Sequence, residues 1–156
     1  MQKIIIYNST YMQKLQADFA KFCEDPTDGL LVYLINNDFY HWGGVLIGPP
    51  ETPFEGGRFQ FEILFPQDFP QSPPEFYFKT IIFHPNVDSN GKACTMLLNY
   101  KWQSTTTVKS ILDSICVLMS EPSTEDGYLN DATAVRSADK EEYERIARMW
   151  THMYAV

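Results

Sequence analysis

The chain has 156 residues, of which 44% are hydrophobic and 15% aromatic, with a formal charge of -8 and a pI near 4.7. That length and apolar content suit one packed core, so a single domain is expected over residues 1–156, with residues 1–10 as a short extension. The acidity removes counterion release as a general source of affinity for nucleic acid. No run approaches the ~20 apolar residues that span a bilayer, and the Ile run in MQKIIIYNST is shorter than the roughly 7–15 residues of a secretory core.

A first helix is predicted from about Tyr11 to Glu24, where Met12, Leu15, Phe19, Phe22 and Cys23 recur at steps of three and four behind a Thr-x-x-Gln capping box at residues 10–13. Pro26 and Gly29 end it. Two β-rich runs, Leu31 to Ile35 and Tyr40 to Ile47, flank an Asn-Asn-Asp turn at residues 36–38 and read as a hairpin. A third strand shows period-2 alternation at Phe59, Phe61, Ile63 and Phe65. Four prolines exclude FPQDFPQSPP from a central strand, and EFYF at residues 75–78 supplies a short fourth one. Helical spacing returns at Val108, Ile111, Leu112, Ile115, Leu118 and Met119 and stops before Pro122. A short helical piece follows Asn130, and a last helix begins near Asp139 with an Asp-x-x-Glu start and a face of Tyr143, Ile146, Ala147, Trp150 and Tyr154. A run of strands followed by a run of helices indicates an α+β fold with an antiparallel meander.

From Lys79 to about Thr106 no periodicity holds, and an irregular segment of this length in a compact domain is commonly functional. It contains HPNVDSNGKACTM, with Cys94 eight residues after Asn86. The cysteines, Cys23, Cys94 and Cys116, are odd in number and form no CxxC pair, which argues against a disulfide framework and a structural zinc site and for a reducing compartment. Cys94 stands at the edge of an apolar run. It reads locally either as a packed thiol, since free cysteine is among the most buried residue types, or as a nucleophile in a partly exposed setting. His84 raises a Cys/His hydrolase arrangement, against which no hydrolase signature surrounds Cys94 and Pro85 follows the histidine directly. The Asn86 amide could donate to an oxyanion or simply bond its own turn.

An ordered set of features resembles the ubiquitin-conjugating enzyme family from about Tyr11 to Val156: Asp25-Pro26, His41-Trp42, Gly48-Pro49, Pro53, Gly56-Gly57, the FPQDFPQSPP segment, His84-Pro85-Asn86, Cys94, Trp102, Glu121-Pro122 and the terminal IARMWTHMYAV. The ending is most similar to the small, broadly acting subgroup. The resemblance implies the ubiquitin-conjugating fold. It also implies that Cys94 accepts ubiquitin as a thioester from the activating enzyme and passes it to a lysine or a ligase cysteine. Asn86 is then the residue that stabilises the oxyanion or shapes the loop, and Asp126, with Glu125 as a weaker candidate, is the acid that positions or desolvates the attacking lysine. Such help is needed because a lysine of pKa about 10.4 is neutral in well under one in a thousand molecules at pH 7. Phe83 matches an aromatic beside the active site, in a packing or a direct role. The implied partners are ubiquitin, the activating enzyme, RING- or HECT-type ligases and substrate proteins. No metal, cofactor, nucleic acid or membrane is expected, and the implied state is a monomer in cytoplasm or nucleus. The competing expectations are a carrier of a ubiquitin-like modifier and a catalytically silent binding module, the latter disfavoured by the presence of Cys94.

The implied ligase and activating-enzyme surface comprises Lys14, Gln71, Ser104 and Thr105, and departs from the subgroup. Gln71 stands where phenylalanine often anchors a RING-type ligase, and Gln103-Ser104-Thr105 replaces a Ser-Pro-Ala loop. Leu31 replaces a serine that binds a second ubiquitin non-covalently on the outer sheet face. Gly127 replaces a proline, Thr95-Met96 replaces Leu-Asp, and the first helix, with Lys14 and Lys21, is less basic than usual.

Overall fold

The computed structural model describes residues 10–95, 97–123 and 127–156. Helix α1 (Thr10–Glu24) is followed by strands β1 (Leu30–Ile35), β2 (Asp38–Ile47), β3 (Arg58–Leu64) and β4 (Glu75–Phe78), then by helices α2 (Val108–Ser120), α3 (Asp131–Ala138) and α4 (Lys140–Tyr154). The sheet is an antiparallel meander in the order β1-β2-β3-β4. The expected α+β architecture is therefore the observed one.

The hairpin is tighter than the sequence suggested. Asn36 and Asn37 both take positive φ, 54° and 55°, and form a two-residue turn of the kind that matches strand twist, which asparagine tolerates better than most residues. Asp38 therefore pairs with Ile35, and the register jumps to Leu34↔Trp42, leaving Phe39 to His41 as a bulge. That bulge aims the Trp42 ring inward. It is fully buried, donates from Nε1 to Phe39 O at 2.6 Å, and meets Phe19 and Phe22 of α1 edge-on and Phe65 at a tilt. The same face of the sheet contributes Phe59, Phe61, Ile63, Phe76 and Phe78, and α2 inserts Ile111, Leu112, Ile115 and Met119 into the core, all nearly or wholly buried.

Two helix faces differ from the predicted ones. On α1, Cys23 is exposed and Asp18 is buried. The carboxylate is tolerated because its Oδ2 accepts from Val108 N at 3.3 Å, one of the orphan donors at the start of α2, and has Lys14 Nζ at 3.8 Å. On α4, Tyr143 and Ala147 are buried, but Tyr154 is 42% exposed and Thr151 lies inside. Thr151 can be buried because its hydroxyl donates to Ala147 O at 2.8 Å. Tyr154 stays at the rim, edge-on to Trp150. The chain end is tied to the sheet, with Arg58 N donating to Ala155 O at 2.9 Å.

Candidate active site

The irregular segment is built on a His-Pro-Asn turn whose side chains are all turned inward. His84 is 2% exposed and Asn86 fully buried. The His84 ring bridges two backbone groups: Nε2–H donates to Leu118 O at 2.7 Å and Nδ1 accepts from Asn86 N at 2.9 Å. Burial lowers its pKa to about 4, against the Leu118 carbonyl, which favours the protonated ring; the Arg136 charge lowers it further. The imidazole is therefore neutral with a fixed tautomer. Both nitrogens are engaged, so the ring has no free site to take a proton from Cys94, which removes the Cys/His hydrolase arrangement.

The Asn86 amide spans to the loop after α2. Its Nδ2 donates to Ser123 O at 2.9 Å and its Oδ1 accepts from Ser123 N at 2.9 Å. A second clamp comes from Asn130, which caps α3 by accepting from Thr133 N at 2.8 Å and donates from Nδ2 to Val87 O at 3.1 Å and His84 O at 3.3 Å. Ser123 and Asn130 were not singled out in the sequence as supports of the turn. Asn130 was legible only as a helix start.

After the turn the chain folds into a small hairpin against β4. The Asp88 carboxylate accepts from Asn90 N and Lys92 N, each at 2.9 Å. Gly91 has φ 86°, and a Cβ there would lie 2.0 Å from Phe78 O, so only glycine permits the 2.7 Å bond from Phe78 N to Gly91 O. Bridges Tyr77↔Lys92 and Val87↔Ala93 complete the ladder. Cys94 is the next residue. Its N–H donates to Asn86 O at 2.8 Å, and it is half-buried rather than packed away. It lines an open cleft of about 370 Å³ with Pro73, Pro74, Lys92, Leu98 and Tyr128. Thr95 is buried beneath it, with Oγ1 accepting from Leu98 N at 3.1 Å.

A half-exposed thiol is thus held in a groove by a turn whose geometry is set from three directions. The profile of the ubiquitin-conjugating enzyme family matches residues 14–151. The chain belongs to the ubiquitin-conjugating enzyme family. Its fold is the family's, and the activity that membership supports is a ubiquitin-conjugating transferase in general terms.

In this ubiquitin-conjugating enzyme, Asn86 and Cys94 are brought together, whereas Asp126, Glu125 and Met96 lie outside the described residues. Phe83 is packing: it is buried against Tyr143 and Trp150 of α4, with centroids 5.9 and 5.0 Å away. The four expected surface positions lie on α1 and on two loops that Phe69, Pro70 and Trp102 connect. Lys14 Nζ sits 5.9 Å from the Phe69 ring centroid, and Phe69 packs on Trp102 at 5.9 Å. Trp102 Nε1 donates to Pro70 O at 3.0 Å. This stitches the loop carrying Gln71 to the loop carrying Ser104 and Thr105, all three of which are exposed. Leu31 and Tyr33 are 58% and 45% exposed on the outer sheet face.

Proposed function

We propose that this protein carries ubiquitin as a thioester on Cys94 and transfers it to substrate lysine in concert with a ubiquitin ligase. The observation that carries this reading is the half-exposed Cys94 thiol in an open cleft, its backbone pinned to Asn86, within a chain of the ubiquitin-conjugating family. Thioester exchange replaces one thiolate by another, so no base beside the sulfur is needed, in keeping with the fully engaged His84 ring. For Asn86, the pair of hydrogen bonds with the Ser123 main chain favours the loop-shaping role over direct oxyanion donation. Asp126 is the proposed acid for the attacking lysine. Lys14, Gln71, Ser104 and Thr105 are the proposed surface for the activating enzyme and ligases. The protein is proposed to act as a monomer and a single catalytic domain in cytoplasm or nucleus.

The test is incubation with ubiquitin, activating enzyme and ATP. The expected result is a reductant-sensitive adduct about one ubiquitin heavier, which Cys94→Ala abolishes. An adduct formed only with a ubiquitin-like modifier would assign a different cargo to the same chemistry.

A further inference from the structure

The His-Pro-Asn turn holds two residues at the cleft, not one. Cys94 N donates to Asn86 O at 2.8 Å and Tyr128 N donates to Pro85 O at 2.9 Å. Adjacent carbonyls of one turn thereby fix the backbones of Cys94 and Tyr128 side by side, and both side chains line the same cleft. Tyr128 is half-buried and shares the cleft with Cys94, and its phenol interacts with the Cys94 side chain. Burial first, and then the charge of the Cys94 thiolate, push the Tyr128 phenol up to about 12. It keeps its proton at working pH and is a standing donor. Among the described residues, the other charged groups lining the cleft are Glu75 of β4 and Lys92 of the small hairpin, while Asp88 and Tyr77 act on the Tyr128 phenol. Lys92 is drawn to Glu75 at 3.9 Å, and the Tyr77 hydroxyl donates to Glu75 at 2.5 Å.

We propose that Tyr128 is a catalytic residue whose phenol donates a hydrogen bond to the Cys94 sulfur, stabilising it as a thiolate when it attacks and again when it leaves. This rests on the reading of Cys94 as the thioester cysteine. In the first step the Cys94 thiolate bonds to the carbonyl carbon of ubiquitin's terminal thioester, and the activating enzyme's sulfur departs with the electron pair of the broken C–S bond. In the second, a neutral lysine amine bonds to that carbon and the C–S bond to Cys94 breaks. Its electron pair returns to the sulfur, and the surplus amine proton passes to solvent. Negative charge resides on Cys94 Sγ at the start of the first step and the end of the second. With the Asn86 amide engaged by Ser123, the Tyr128 hydroxyl is a side-chain donor in the cleft that can meet that charge.

Tyr128→Phe removes the hydroxyl alone. Without ubiquitin, the rate of Cys94 alkylation by iodoacetamide against pH should show an upward-shifted midpoint. At pH 7 the rate should fall roughly threefold, about tenfold less thiolate being partly offset by the greater nucleophilicity of a more basic one. With ubiquitin, discharge of the adduct to free lysine should slow roughly tenfold, because a more basic thiolate is a poorer leaving group. Tyr154→Phe, at the rim of α4 and not among the residues lining the cleft, should match the wild type in both assays. A second measurement leaves Tyr128 intact: in Cys94→Ala, nuclear magnetic resonance of the labelled tyrosine should show it ionising at lower pH. An unshifted alkylation profile in a variant that charges normally would overturn the donor role. A wild-type protein that forms no reductant-sensitive adduct would overturn the thioester reading itself, and the catalytic role with it.

Discussion

His84 stands in the turn that precedes Cys94, and its environment assigns it to the scaffold. A histidine of pKa about 4 in the folded chain has a value near 6.5 when unfolded. Between these values the unfolded chain binds the proton that the folded chain excludes. This contribution to stability is complete above about pH 6.5 and is lost as pH falls toward 4, by about 3 kcal/mol over the window. The urea midpoint should therefore drop on acidification through this range, and His84→Gln should flatten that slope relative to wild type. An equal slope in the two proteins would show that the buried ring does not govern it. The sequence correctly set His84 and Pro85 apart from proton transfer. It left open the role of Asn86, because an asparagine after proline can bond its own turn as readily as a distant loop.

Single elements were read well wherever a side chain records its own local role. Asp139 accepts from Glu142 N and Asn130 from Thr133 N, as helix-starting residues should. The surface proposed for ligases is a different case, since it is assembled from α1 and two loops that share no pattern. Phe69, Pro70 and Trp102 join these parts, so Gln71 is presented on a rigid platform rather than a free loop. An apolar ring at that position would gain burial at an interface where aromatic anchors carry much of the energy. Gln71→Phe should tighten binding to RING-type ligases of the broad subgroup by about 1–2 kcal/mol, roughly five- to thirtyfold. Titration calorimetry measures this, and an unchanged affinity would dismiss Gln71 as a determinant.

For the molecule as a whole, Trp42 links helix and sheet. It is fully buried and touches Phe19, Phe22 and Phe65, so one indole joins α1 to the sheet, beside the Phe19–Phe39 contact. Trp42→Ala should cost about 3–5 kcal/mol, a large part of the roughly 5–15 kcal/mol that a domain commonly has. The expected result is a matching fall in the urea midpoint together with loss of near-ultraviolet circular dichroism. The errors in the predicted helix faces arise at this scale too. Asp18 and Thr151 are inside because each finds a partner, the start of α2 for one and the preceding turn of α4 for the other. Hydrophobic periodicity takes no account of such partners.

The sequence by itself determined the order of helices and strands, the meander, the irregular segment and the spacing of Cys94 from its turn. Each of these is written in side-chain period, proline and glycine placement, or capping residues, and is local. Only the tertiary structure decided how that turn is held and what faces the sulfur. Leu118, Ser123 and Asn130 reach His84 and Asn86 across 34, 37 and 46 residues. Leu118 and Ser123 act through main-chain groups, and Tyr128 is docked by its own amide on Pro85. Almost any residue type supplies a backbone carbonyl or amide, so such contacts leave no mark in residue identity and emerge only when the chain is folded.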